Sequence, residues 1–109
     1  MKSESQIRQG GIKIPDSTII SCAAGAALET KGVAELAGSR RGIRFARIEE
    51  GIIIDVFVSV YYGSSIPEVS WNMQKNIKNK VERISGERVA AINVNVQRVK
   101  FSQDEEEDF

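Results

Sequence analysis

The chain has 109 residues, enough for one domain with a modest hydrophobic core. Hydrophobic residues make up 41% and charged residues 28% of it, as in ordinary globular proteins. A helix needs about 20 consecutive apolar residues to cross a bilayer, and no run in the sequence approaches this length. Residues 1–10 lack the apolar stretch of a signal peptide. A single cysteine, Cys22, excludes an internal disulfide. We therefore expect a cytoplasmic protein without direct membrane insertion.

Charge is unevenly distributed although the formal net charge is zero. Five of the 15 acidic residues lie in residues 104–108, so the rest of the chain has 15 basic and 10 acidic side chains. A mildly basic body followed by an acidic segment indicates interaction surfaces. We expect residues 1–10 to be a flexible lead-in, residues 11–101 to form a single domain, and residues 102–109 to be an acidic disordered tail.

The first third of the domain predicts a short strand, a helix and a second short strand. The strand begins at Ile12, and Pro15 and Asp16 then signal a helix over 17–31, with Asp16 as a candidate N-terminal cap. A weak strand follows at 33–37. Spacings of three and four place one set of residues on a single face of the helix: Ile19, Ala23, Ala26, Ala27 and Thr30.

Two stronger strand signals follow at 43–48 and 52–61. Only residues 49–51 separate them, which predicts an antiparallel hairpin. In the second strand, Asp55 and Ser59 indicate the face that is expected to be more exposed to solvent. Strict alternation places the apolar residues on the opposite face: Ile52, Ile54, Val56, Val58 and Val60.

A clear helix is predicted over 66–85, with Pro67 in its first turn and Gly86 ending it. A final strand over 88–101 changes its alternation near Gln97 and Arg98, which indicates a β-bulge. The apolar stripe of the helix has six members: Ile66, Val69, Met73, Ile77, Val81 and Ile84. The predicted fold is α+β, with two amphipathic helices packed on a mainly antiparallel sheet in the order β-α-β-β-β-α-β. Strand pairing beyond the hairpin stays open.

The residue types argue against catalysis. The chain has no histidine, which removes the commonest general base and zinc ligand, and one cysteine cannot form a cysteine-rich metal site. The glycines form neither a phosphate-binding loop nor a dinucleotide fingerprint. We therefore predict no catalytic, cofactor-binding or metal-binding residues and no enzyme activity. Cys22 is expected to be a small buried residue.

Four arginines, Arg40, Arg41, Arg44 and Arg47, cluster on the loop and strand at 40–47. Alternation places Arg41 and Arg47 on one side and Arg40 and Arg44 on the other. Such a cluster is typical either of a surface for an anionic partner, such as RNA, or of a solvated sheet edge protected by charge. Both interpretations stay open.

Trp71 is the second candidate contact. At about 100° per residue, it points away from the apolar stripe of its helix and toward Lys75, Lys78 and Glu82. An exposed tryptophan on a polar helix face is a candidate partner contact. The alternative is that its ring packs over lysine stems. Trp71, Lys75 and Lys78 thus join the four arginines as candidate partner contacts.

Four ordered segments carry a family resemblance. They are Gly-Ile-Lys-Ile-Pro at 11–15, Glu-Thr-Lys-Gly-Val at 29–33, the strand at 54–58 that continues to Val-Tyr-Tyr-Gly at 60–63, and the helix and strand from Gln74 to Phe101. Over residues 10–101 the chain resembles the alkaline shock proteins, or envelope stress response proteins, of Gram-positive and related bacteria.

The resemblance implies an abundant, non-enzymatic cytoplasmic protein linked to envelope stress. It also implies self-association, with itself or paralogues, and attachment beneath the membrane through a membrane-anchored protein partner. Our main hypothesis is therefore a scaffold or adaptor. The alternative is a small RNA-binding domain that uses residues 40–47. Against it, three residues separate Gly38 and Gly42, whereas a KH loop has two between its glycines.

Overall fold

A computed structural model describes residues 14–38 and 42–101. Its elements are α1 (Asp16–Glu29), β1 (Val33–Leu36), β2 (Ile43–Ile48), β3 (Gly51–Tyr61), α2 (Ile66–Ser85) and β4 (Val89–Lys100). From α1 onward, the type and order of the elements agree with the prediction, and the fold is α+β. The predicted strand at Ile12, the lead-in, the acidic tail, Arg40 and Arg41 lie outside the described residues.

The strand β3 is the centre of the sheet. β2 pairs antiparallel with its first half, from Ile48 opposite Gly51 to Ile43 opposite Val56, which confirms the predicted hairpin. β1 pairs antiparallel with its second half, with Val33 opposite Val60. Because β1 and β2 contact successive parts of β3, they lie end to end along one of its edges. β4 pairs along the other edge.

β3 and β4 run parallel, and the sheet is therefore mixed, with two antiparallel pairings and one parallel pairing. The parallel direction follows from α2, which carries the chain back so that β4 starts beside the start of β3. The pairing moves from Val96 opposite Val58 to Arg98 opposite Ser59. This skipped residue confirms the β-bulge predicted near Gln97.

The two helices cover one face of the sheet, and the core lies between them and β3. The predicted apolar face of β3 is buried, as is the predicted face of α1, including Thr30. Alanine at three of these α1 positions permits a close approach to the neighbouring elements. Cys22 is only half-buried, although it packs against the core, because it lies beside the buried face of α1.

The ends of α2 correct one prediction and confirm another. Ile66 and Ile84 are 41% and 43% exposed, because they lie in the first and last turns, beyond the buried stripe. The helix begins with Ser65, whose Oγ accepts a hydrogen bond from the Glu68 N–H at 3.4 Å, and ends at Gly86, whose φ is 72°. Left-handed backbone of this kind suits glycine, as predicted.

Candidate interface beside the second helix

A groove of about 230 Å³ lies between α2 and the first residues of β4. The helix contributes one tryptophan, one amide and two cations, and the strand contributes small and apolar residues. The lining residues are Trp71, Gln74, Lys75, Lys78, Val89, Ala90, Ala91 and Ile92. The structure therefore brings three of the seven predicted contact residues to one site.

Trp71 is the most exposed large hydrophobic residue among the described parts of the chain, with 60% of its surface accessible. Its ring lies under the ammonium group of Lys75, whose Nζ is 5.7 Å from the ring centre, a cation–π arrangement. Lys78 Nζ lies 3.6 Å from Glu82 Oε2, so Lys78 stays on the same side of the helix. The direction that helical spacing predicts for Trp71 is thus confirmed.

The outer edge of β4 has no strand partner within residues 14–38 and 42–101. At the start of β4, α2 itself provides hydrogen-bond partners. Gln74 Nε2 donates to the carbonyl oxygen of Ile92 at 3.0 Å, and the Val89 N–H donates to Glu82 Oε2 at 2.8 Å. These bonds attach α2 to β4 and satisfy backbone groups that an edge strand would otherwise leave to solvent.

Sequence reasoning did not select Gln74 and Glu82 for this role. Both lie three or four residues from Trp71 or Lys78, so helical spacing could have placed them on the same side. Their backbone partners could not be found in that way, because they belong to β4.

Arg47 is a structural residue rather than a free cation. Its Nε and Nη2 donate to the two carboxylate oxygens of Glu87 at 2.9 and 3.0 Å, and its Nη1 donates to Asp16 Oδ1 at 3.1 Å. The hydrogen bonds to Glu87, and then the one to Asp16, raise the pKa of Arg47 above its ordinary value. The expected side-chain cap by Asp16 is not formed, because α1 already begins at Asp16 and Pro15 takes the N-cap position; the Asp16 carboxylate binds Arg47.

Arg44 lies on the opposite face of the sheet from Arg47, as alternation predicts. Its Nη2 is 3.6 Å from Asp55 Oδ2, and its guanidinium carbon is 5.3 Å from the centre of the Phe57 ring. Asn93 Nδ2 also donates to Asp55, at 2.8 Å. The described residues therefore do not combine Arg44 and Arg47 into one basic patch.

A larger and more open depression, of about 650 Å³, lies between the two helices. Its lining includes Cys22, Lys80, Arg83 and Ile84. Lys80 Nζ lies 3.0 Å from Glu29 Oε1, a shorter ion pair than the 3.6 Å between Lys78 Nζ and Glu82 Oε2 in the smaller groove. We favour the smaller groove as the candidate interface because it combines an exposed aromatic ring with two cations and a strand edge.

The residue types of the groove combine apolar surface with positive charge. Tryptophan offers apolar surface, and the two ammonium groups attract anions. Within the described ranges, no three His, Cys, Asp or Glu side chains lie close enough to hold a metal ion. In the same ranges, no helix has the length and apolar character needed to span a membrane. Fold and groove together define a small α+β protein with a candidate binding surface.

Comparison with known families then identifies the chain. Residues 4–101 match the model of the alkaline shock protein 23 family, which is described as having a cell envelope-related function. The chain belongs to this family, and the resemblance found in its motifs is confirmed.

Two relatives in Bacillus subtilis (strain 168) are similar along most of the chain. The uncharacterized protein YloU is 29% identical over 118 residues, which cover 94% of this chain and 98% of YloU. The uncharacterized protein YqhY is 28% identical over 106 residues, which cover 84% of this chain and 78% of YqhY. Both relatives are uncharacterized, and their names assign no molecular activity.

Solved structures share the fold at low sequence identity. A variant of the MamM CTD has a TM-score of 0.55 at 13% identity, with 79% of this chain and 100% of that chain covered. A nickel form of another MamM CTD variant has a TM-score of 0.53 at 13% identity, with 77% and 99% covered. This likeness shows a shared fold.

Proposed function

We propose that this protein is a non-enzymatic scaffold or adaptor at the cytoplasmic side of the cell envelope. It acts through contacts with protein partners, one of them membrane-anchored, and through self-association. The envelope-related function of the family supports the setting. The single observation that carries the mode of action is the exposed Trp71 in the groove beside the outer edge of β4.

An exposed tryptophan favours a binding role for a physical reason. Removing apolar surface from water contributes about 25 cal/mol per Å², and a tryptophan side chain offers one of the largest areas of any residue. Trp71 leaves most of its area in water in the isolated chain. Burial against a partner would recover this contribution, which is why tryptophan is frequent among residues that dominate binding energy.

The absence of enzyme activity is part of the proposal. The entire chain lacks histidine, and the groove is lined by an indole, an amide, two ammonium groups and apolar side chains. Lys75 and Lys78 are exposed to solvent. The groove is therefore suited to holding a partner surface.

Affinity capture from cells of the native host tests the proposal. Tagged wild-type protein, Trp71→Ala and Leu28→Ala are compared after nuclease treatment, with bound proteins identified by mass spectrometry. Leu28 is the matched control because it is a large apolar residue on the other helix with 49% exposure. We expect a membrane-anchored protein or a paralogue with the wild type and Leu28→Ala, and a strong loss with Trp71→Ala.

Two results would contradict the proposal. Equal recovery with Trp71→Ala would remove the groove as the contact. Recovery of RNA-bound proteins alone, lost on nuclease treatment, would favour the RNA-binding alternative. In that case, Arg44→Ala should weaken retention in a salt-dependent manner, because phosphate contacts release counterions.

A further inference from the structure

We propose that the groove beside α2 holds the acidic segment 104–108 of a second copy of this chain. In this arrangement, the outer edges of two β4 strands pair antiparallel, and each copy supplies its acidic segment to the other. This inference rests on the proposed function, because it assumes that the protein self-associates. It identifies the surface through which two copies bind each other.

Charge complementarity is the first argument. Lys75 and Lys78 line the groove, and Arg88 is exposed next to its strand side. Residues 104–108 are five consecutive carboxylates, one third of all acidic residues in the chain. Such a segment repels itself and is stabilised when it lies beside several cations.

The length of the chain is the second argument, because it favours a second copy over the same copy. From Ile92 to Lys100, β4 spans eight residue steps, about 26 Å at about 3.3 Å per residue. Asp104 follows Lys100 by four residues, so it reaches about 13 Å from the end of β4 even when the chain is fully extended. Asp108 follows Lys100 by eight residues, about 26 Å, so only the last residue of the segment could approach Ile92, and the segment cannot lie along its own groove.

Antiparallel pairing of two β4 edges removes this problem of reach. The end of one strand then lies beside the start of the other. A register centred on Gln97 places Asp104, Glu105 and Glu106 of one copy opposite Ala90, Val89 and Arg88 of the other, at the strand side of the groove. The same register sets Arg98 opposite Val96 and Lys100 opposite Val94, so these two cations of one strand do not face the same cations of the other.

The edge of β4 fits this arrangement. The part after Ile92 has β3 as its only strand partner among the described residues, so backbone groups on the other side can join a second strand. At Ile92 and Val89, the bonds from Gln74 and Glu82 occupy the edge. Main-chain pairing would therefore end where the groove begins, and the acidic segment would meet the side chains of Lys75 and Lys78.

A charge-exchange experiment tests the inference by sedimentation velocity at low and high salt. One variant reverses the groove (Lys75→Glu with Lys78→Glu), and another reverses the segment (Asp104→Lys with Glu105→Lys and Glu106→Lys). We expect a wild-type dimer of the 12.0 kDa chain and a loss of affinity of about tenfold or more in each variant alone. An equimolar mixture of the two should dimerise again, because each groove then meets a segment of opposite charge.

The matched control is Lys31→Glu with Arg83→Glu, which changes the net charge equally at exposed positions outside the groove. This variant should dimerise like the wild type, and circular dichroism should show that all variants are folded. Strong dimers in both reversed variants would overturn this inference and leave self-association standing. Failure of the mixture to dimerise would also overturn it. A monomeric wild type at every concentration would overturn both this inference and the proposed self-association.

Discussion

The two sides of α2 have the same helical spacing but different surroundings. On the inner side, Val69, Met73, Ile77 and Val81 are buried against β3 and α1. On the outer side, Trp71 is the largest side chain, and it remains in solvent. The residues of the inner side are therefore needed for the hydrophobic core. The outer side has a large apolar residue, Trp71, that is not part of this core.

Polar side chains separate these two sides. Asn76 Nδ2 donates to Thr30 Oγ1 at 2.9 Å, and the same hydroxyl donates to the carbonyl oxygen of Ala26 at 3.0 Å. This chain of hydrogen bonds links α2 to the end of α1. Three substitutions, one on the inner side, one at this rim and one on the outer side, test the comparison.

Ile77→Ala should have the largest effect on stability. The side chain of Ile77 is fully buried, so truncation loses apolar burial and leaves a cavity, which costs about 2–5 kcal/mol. Urea unfolding followed by circular dichroism measures the loss. Its neighbour Lys78 provides the control, because Lys78→Ala at an exposed position should change the free energy of unfolding by less than about 0.5 kcal/mol. Equal effects at the two positions would contradict the assigned sides.

Asn76→Ala should have an intermediate effect of about 1 kcal/mol, because it removes the hydrogen bond to the buried Thr30 hydroxyl. Thr30→Val removes the same bond from the other partner at similar volume. A double-mutant cycle with unfolding free energies should give a coupling of about 1 kcal/mol between the two positions. Additive effects would show that this bond does not link the helices energetically.

Trp71→Ala should have the smallest effect on the isolated chain, within about 0.5 kcal/mol of the wild type. Unfolding must be measured at a concentration where the chain is monomeric, since association would add to the apparent stability. A loss of more than about 2 kcal/mol would place Trp71 in the fold, and the distinction between the two sides would fail.

The sequence predicted the local features of the fold well. Side chains alternate with a period of two in β3 and repeat with a period of 3.6 in α2. The position of a residue in such a pattern therefore predicts which face of the element it lies on. The slip near Gln97 predicted the β-bulge for the same reason. Trp71, Lys75 and Lys78 share one helix, and their arrangement on one side was therefore predictable.

Features that depend on distant residues could not be predicted. The parallel pairing of β4 and the shared edge of β1 and β2 depend on how the chain returns to β3. Arg47 binds Glu87 and Asp16, which are 40 and 31 residues away, and no local period shows such partners. The exposure of Ile66 and Ile84 depends on where the covering elements end.

The position of β3 also has a consequence for how the chain folds. Its pairing with β2 needs only a two-residue connection, so this hairpin closes at a low cost in loop entropy. Its pairing with β4 brings together residues across the whole length of α2, which makes it a slower, non-local step. All strand pairings among the described residues use β3, and we expect the non-local pairing with β4 to form after the hairpin.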